Sequence, residues 1–142
     1  MFMITAVVLL MSINIGRAYA EQTVVLIAAR GSGIEEISNR DIRRIFLGLK
    51  SADSELVNKP VINIYNEEVY EEFLKNVMHM TEGAYKRKIV KRIFRHGTRE
   101  IKQINELQKL NDHLIRNVGD ISFVDSAAID DMQDIEVVKV LW

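Results

Sequence analysis

The sequence predicts an α/β fold with a mostly parallel sheet flanked by helices. Residues 23–29 form a continuous apolar run rich in β-branched residues, which is typical of a strand buried on both faces. Strand-like and helix-like apolar patterns alternate along the chain, which favours crossover connections between parallel strands. With 142 residues, 48% of them apolar, and no cysteine, the chain suits one domain held by an ordinary hydrophobic core.

The first twenty residues differ in composition from the rest. Residues 2–11 form an apolar run, and A-Y-A at 18–20 has the small residues of a signal-peptidase site. The run is too short to cross the roughly 30 Å hydrocarbon core of a bilayer. We therefore interpret residues 1–20 as a cleaved signal peptide and residues 21–142 as one periplasmic domain with no membrane span after cleavage. The alternatives are an uncleaved anchor and a buried first strand.

Helix and strand signals follow this first strand in order. Ser38 and Asp41 have the spacing of a capping box and open a short helix, which Gly48 ends. Residues 61–65 form a second predicted strand, and Asn66 caps the helix that follows. That helix is expected to bury four apolar residues at helical spacing: Val69, Phe73, Leu74 and Val77.

Two further helices are predicted in the second half of the chain. Thr81 caps the first of them, and Asn105 with Gln108 forms a capping box for the other. The apolar stripe of the helix after Thr81 is predicted to comprise Tyr85, Ile89, Val90, Ile93 and Phe94. The remaining strands are predicted at residues 121–124 and 135–141, and residues 101–104 are expected to form a short extended segment.

Composition excludes several classes of function. Lys and Arg total 19 against 20 Asp and Glu, a formal net charge of −1 that gives no general attraction to nucleic acid. His79, His96 and His113 lack metal-ligand spacing, and no cysteine, P-loop or G-x-S-x-G motif is present. We predict no metal site, no cofactor and no catalytic residue, and hence no enzyme. An enzymatic alternative requires these histidines to converge with carboxylates.

Two segments are candidates for binding a small anion or another small solute. Arg30, Gly31 and Ser32 follow the buried strand, where glycine turns backbone N–H groups outward and arginine adds positive charge; a plain turn is the alternative. The second segment is the helix start at Asn66. Glu67 and the next residue are both glutamates, and their carboxylates complement the helix dipole and would repel phosphate or sulfate.

The strongest local charge lies in the helix after Thr81. Six of the ten residues 86–95 are Lys or Arg. We take Lys88, Lys91 and Arg92 as candidate docking residues for an acidic partner or anionic head groups. The alternative is a basic face exposed only to solvent.

The order of these segments resembles that of short, single-lobe members of the periplasmic phosphate-binding protein family, the solute-binding components of phosphate-type ABC importers. The resemblance covers nearly all of residues 21–142. It rests on the apolar strand at 23–29, I-S-N-R-D-I-R-R-I-F-L-G at 37–48, V-I-N-I-Y at 61–65 followed by E-F-L at 72–74, and G-D-I-S-F-V at 119–124. It implies a single lobe of a type II periplasmic-binding-protein fold.

The resemblance also implies where an anion would bind. Complete members close two lobes on an oxyanion, and the family's glycine, serine and arginine fall here at Asn66, at Glu67 and near Tyr70. All three positions depart from the family pattern, so the expected anion site is degenerate. One hypothesis is an exported, non-enzymatic solute-binding module. The other is a protein-interaction or assembly module of an envelope complex that has lost ligand binding.

Overall fold

The structure is a computed structural model that describes residues 22–51 and 55–142. The predicted signal peptide at 1–20 lies outside the described residues. In chain order the elements are β1 (Val24–Ala29), α1 (Asn39–Phe46), β2 (Val61–Asn63), α2 (Glu67–Phe73), a π-helical stretch (Leu74–Met78), α3 (Glu82–His96), β3 (Lys102–Ile104), α4 (Leu107–Arg116), β4 (Ile121–Asp125), a 3-10 helix (Ser126–Asp131) and β5 (Ile135–Val140).

Strand β1 is the centre of a three-stranded antiparallel sheet with the order β4-β1-β5. Ala28 pairs with Ile121 of β4, and Ala29 pairs with Ile135 of β5. Strands β2 and β3 form a separate parallel pair. The predicted mostly parallel sheet is therefore wrong, and with it the expected type II periplasmic-binding-protein lobe. All six residues of β1 are buried as predicted, but an apolar run indicates burial and does not specify strand direction.

Side-chain hydrogen bonds join the parallel pair to the larger sheet. The Asn63 side-chain amide donates to the Phe123 carbonyl oxygen at 2.9 Å, and the Ser122 hydroxyl donates to the Val61 carbonyl oxygen at 2.8 Å. A parallel backbone bridge pairs Pro60 with the first residue of β4. Strand β2 therefore runs parallel to β4 and opposite to β1.

Three phenylalanine rings form the centre of the core. Phe46 of α1, Phe73 of α2 and Phe123 of β4 are each 0% exposed. The Phe73 and Phe123 rings stack with centroids 3.9 Å apart, and Phe46 meets Phe73 edge-on at 4.9 Å. The predicted buried face of α2 is confirmed. The contacts among the three rings hold α1 and α2 against β4.

Local capping chemistry accounts for most of the helix starts. The predicted caps Ser38, Asn66 and Thr81 each accept a hydrogen bond from a first-turn backbone N–H. The predicted capping box of Asn105 and Gln108 is wrong. Helix α4 starts one residue later, with Glu106 at the cap position and no side-chain cap, and the Gln108 amide donates instead to Asp112 at 3.1 Å.

Candidate functional site

The two predicted ligand segments lie at opposite ends of the sheet. Residues 30–32 follow the end of β1, beside the starts of β4 and β5. Asn66 follows the end of β2, which runs opposite to β1. The six residues of β1 place the two segments about 20 Å apart, at roughly 3.3 Å per residue. The structure does not bring them into one site.

The turn after β1 uses its polar groups internally. The Arg30 backbone N–H donates to the Asp134 carbonyl oxygen at 2.7 Å, and the Ser32 hydroxyl donates to the Glu136 carboxylate at 2.7 Å. Gly31 has a φ of +81°, as the tight turn requires. These bonds fasten the turn to β5 and place a carboxylate beside the predicted anion-binding hydroxyl.

The start of α2 is a shallow, acidic depression. Tyr65, Asn66 and the carboxylates of Glu67, Glu68 and Glu71 line it. The Asn66 side-chain oxygen already accepts the Val69 backbone N–H at 3.3 Å. Three carboxylates next to the positive end of the helix dipole neutralise it, so this depression favours a cation over phosphate.

Tyr70 does not line that depression, because its side chain points into the core and is 3% exposed. Its hydroxyl oxygen is buried and has no hydrogen-bond partner among the described residues. Burial, and secondarily the negative charge of Glu82, raise the pKa of Tyr70 to about 12. Of the residues matched to the family's anion site, this one is the least accessible to a ligand.

The basic helix α3 lies on the outside of the molecule. Tyr85 is the one buried side chain of α3. Lys88 and Lys91 are exposed, whereas Arg92 is half-buried. The candidate docking residues thus lie on an accessible helix, with Arg92 at the edge of its contact with the core.

The apolar stripe predicted for α3 is only partly buried. Ile89 and Ile93 are half-buried, but Val90 is 49% exposed and Phe94 is 84% exposed. The prediction that Val90 and Phe94 pack inward is wrong, because the five apolar positions cover more of the helix than its contact with the core can bury. The sequence contains no signal that separates these positions, since a basic residue adjoins the half-buried Ile89 and Ile93 just as one adjoins Val90 and Phe94.

The three histidines do not converge on one site. The Nε2 atom of His79 lies 3.4 Å from a guanidinium nitrogen of Arg43, and His96 is the last residue of α3. His113 Nε2 lies 2.7 Å from the buried carboxylate of Asp120. No serine or threonine hydroxyl is hydrogen-bonded to His113 in the described part of the chain, and residues 22–51 and 55–142 hold no His, Asp and Glu cluster that could bind a metal.

Comparison of the chain with protein-family models and with curated proteins gives no match. Among the helices at residues 22–51 and 55–142, none combines the length and the apolar character needed to cross a bilayer.

Proposed function

We propose that this chain is a non-enzymatic protein-interaction module of the cell envelope that docks onto an acidic partner protein through α3. The docking face consists of the exposed pair Val90 and Phe94 with Arg87 and Lys91, which lie three residues before Val90 and Phe94 and therefore on the same side of the helix. The observation that carries the proposal is the 84% exposure of Phe94 within a basic helix. The envelope location rests on the predicted signal peptide at 1–20.

The exposed pair supports docking because it is apolar and contiguous. Val90 and Phe94 lie one helical turn apart, so their side chains form one patch on the same face. Arg87, Lys91 and Arg95 are exposed and lie within one turn of that patch. An aromatic side chain ringed by cations is suited to a partner with an apolar pocket and an acidic rim.

A protein partner fits this face better than a membrane or a nucleic acid. Membrane-surface helices carry a broad apolar face, whereas α3 exposes one large apolar side chain, Phe94, next to the smaller Val90. Nucleic-acid binding is disfavoured by the net charge of −1. Both alternatives are outcomes of the test below.

The solute-binding hypothesis has less support from the geometry. Its two segments are separated by the length of β1, the depression at Asn66 is acidic, and Tyr70 is buried. An anion at either segment would meet a carboxylate at close range, from Glu136 or from Glu67. We therefore favour the interaction module over a phosphate receptor.

The proposal is tested by site-specific photo-crosslinking in the cells that produce the protein. Benzoylphenylalanine replaces Phe94 in one variant and Val137 in a control, because Val137 of β5 is 47% exposed and distant in the chain. We expect one protein, identified by mass spectrometry, to crosslink at position 94 alone. Adding Arg87→Glu and Lys91→Glu should abolish that crosslink, whereas Lys59→Glu with Lys102→Glu should not.

Three results would contradict the proposal. Crosslinks to lipid alone would indicate a membrane surface, and crosslinks to nucleic acid would indicate that class of partner. Crosslinking that survives Arg87→Glu with Lys91→Glu would remove the basic face from the interaction. Thermal melts in millimolar phosphate and sulfate test the solute-binding hypothesis separately. A ligand at 100 times its Kd would stabilise the folded protein by about 2.7 kcal/mol.

A further inference from the structure

A second basic feature lies at the opposite end of the sheet from Asn66. It is a cleft of about 490 Å³ between the start of β2, the segment joining α3 to β3, and the end of α4. Four cationic side chains line it: Lys50, Lys59, Arg99 and Lys102. They come from three separate parts of the chain, so no sequence pattern indicates that they meet. We refer to this feature as the basic cleft.

Within the described ranges, the cations of the basic cleft have no carboxylate partner in an ion pair. None of the four takes part in an ion pair with another residue of the described ranges 22–51 and 55–142. Among the described residues, the carboxylates that line the cleft beside them are those of Glu100 and Asp120. Four like charges brought together with so little compensation repel one another, and a bound anion would relieve that repulsion.

Asp120 does not form an ion pair with the cations of the cleft, because each of its carboxylate oxygens contacts another group of the protein. Its Oδ1 accepts the Lys59 backbone N–H at 3.2 Å, and its Oδ2 lies 2.7 Å from His113 Nε2. The side chain is 3% exposed, so it is turned away from a ligand in the cleft. Asp120 therefore joins two walls of the cleft, at the start of β2 and on α4, and is not the partner of the lysine ammonium groups.

The shape and floor of the cleft indicate the kind of anion. Its volume lies within the range of roughly 300–1,000 Å³ that is usual for small-molecule sites. Apolar side chains of Ile45, Val61 and Ile101 form part of the lining. An inorganic phosphate ion has no apolar part to contact these residues, whereas an organic molecule with several acidic groups does.

We propose that the basic cleft binds a small organic polyanion, a molecule that carries two or more phosphate or carboxylate groups on a carbon framework. The acidic groups pair with Lys50, Lys59, Arg99 and Lys102, and the framework rests on the apolar floor. This site is separate from the docking face on α3 and does not depend on that proposal.

Isothermal titration calorimetry on the full chain tests the basic cleft, with citrate and phosphoglycerate as probes at matched ionic strength. The test variant is Lys59→Gln with Lys102→Gln, and the control is Lys88→Gln with Lys91→Gln, which removes the same charge from α3. All four lysines are exposed, so both variants should fold. We expect the test variant to weaken binding of the probes by at least about tenfold and the control to change it by less than about twofold.

Other results would overturn the proposal. No binding of either probe at millimolar concentration would do so, as would equal weakening in both variants, which would indicate attraction by net charge alone. Inorganic phosphate binding as tightly as citrate would contradict the role of the apolar floor. If the test variant fails to fold, amide chemical-shift changes in the wild-type chain decide: citrate should shift Val61, Ile101 and His113, and shifts confined to other residues would refute the site.

Discussion

The Tyr85 hydroxyl donates a hydrogen bond of 2.6 Å to the Phe46 backbone carbonyl oxygen. Tyr85 is 3% exposed and is the one buried side chain of α3, while Phe46 is the last residue of α1. The bond therefore connects the proposed docking helix to the aromatic core at a single buried point. Burial raises the pKa of the Tyr85 hydroxyl, which keeps it protonated and able to donate.

Tyr85→Phe should lower the free energy of unfolding by about 1–2 kcal/mol. The variant keeps the ring but leaves the Phe46 carbonyl oxygen buried without this donor. Urea denaturation measures the change, and Tyr65→Phe is the matched control because Tyr65 is 49% exposed. Equal stability of Tyr85→Phe and the wild type would show that α3 is held by other contacts.

Phe94→Ala should leave stability within about 0.5 kcal/mol of the wild type, because the side chain is 84% exposed. Phe73→Ala is the contrast, since it removes a ring that is 0% exposed and stacked on Phe123 at 3.9 Å. That variant should lose about 3–5 kcal/mol. Chemical denaturation of both variants separates the two roles, and a large loss in Phe94→Ala would place that ring in the core instead of on a docking face.

Much of the local structure follows from the sequence. Ser38, Asn66 and Thr81 cap helices as predicted, because each offers a side-chain oxygen to the first turn. Burial of β1 and of the inner face of α2 also follows from apolar spacing. These features depend on neighbours within a few residues, which is the range that a sequence pattern describes.

Features that depend on distant parts of the chain were beyond the reach of such patterns. The apolar run of β1 indicates burial but does not reveal that β1 runs against both β4 and β5. The antiparallel register places Arg30 about 20 Å from Asn66, so the predicted ligand segments separate. The parallel bridge between Pro60 and Ile121 brings the start of β2 next to the turn after α4, where Lys59 meets Asp120 through a contact that spans 61 residues.

Asn63→Leu should cost about 1–3 kcal/mol of stability, although the two side chains are similar in size. The Asn63 amide donates to the Phe123 carbonyl oxygen, and its oxygen accepts the Tyr65 backbone N–H at 2.9 Å. In the leucine variant the Phe123 carbonyl oxygen loses its donor and the Tyr65 backbone N–H loses its acceptor, next to the junction of β2 and β4.

A double-mutant cycle tests whether the two side-chain bonds between β2 and β4 act together. Ser122→Ala alone removes the bond to the Val61 carbonyl oxygen and should cost about 1 kcal/mol. If β2 is held to β4 mainly by Asn63 and Ser122, the double variant should lose less than the sum of the two single losses. Strict additivity in urea denaturation would show that the two bonds act independently.

Tyr70→Phe should raise the free energy of unfolding by up to about 1 kcal/mol, because it removes a buried hydroxyl that has no hydrogen-bond partner within residues 22–51 and 55–142. The pH dependence provides a second measurement. The pKa of Tyr70 is raised from 10.0 to about 12, so the unfolded chain loses this proton first as the pH rises. Ionisation of Tyr70 therefore costs no stability below about pH 10, and it lowers the free energy of unfolding progressively between about pH 10 and 12.

The free energy of unfolding should therefore fall less with rising pH in Tyr70→Phe than in the wild type across this window. In Tyr65→Phe it should fall as in the wild type. Thermal melts at several pH values between about 9 and 12, a range that spans the two pKa values of Tyr70, measure the difference. An unchanged alkaline slope in Tyr70→Phe would contradict the burial of its hydroxyl.

Gly119→Ala should destabilise the protein more than Gly31→Ala does. Both glycines have positive φ, +101° and +81°, so an alanine at either position costs about 1–2 kcal/mol in backbone strain. A Cβ at position 119 would also lie 3.0 Å from the Leu56 carbonyl oxygen, whereas a Cβ at position 31 would meet no heavy atom within 4 Å.

The steric part of this difference bears on the basic cleft. The Gly119 carbonyl oxygen accepts the Asn58 backbone N–H at 2.7 Å, and this contact holds the segment before β2 against the end of α4. Displacing that segment moves Lys59 relative to His113, so Gly119→Ala should weaken citrate binding in calorimetry while Gly31→Ala leaves it unchanged. Equal stability losses in the two variants would show that the segment yields to the extra methyl group, and the predicted effect on citrate would then be absent.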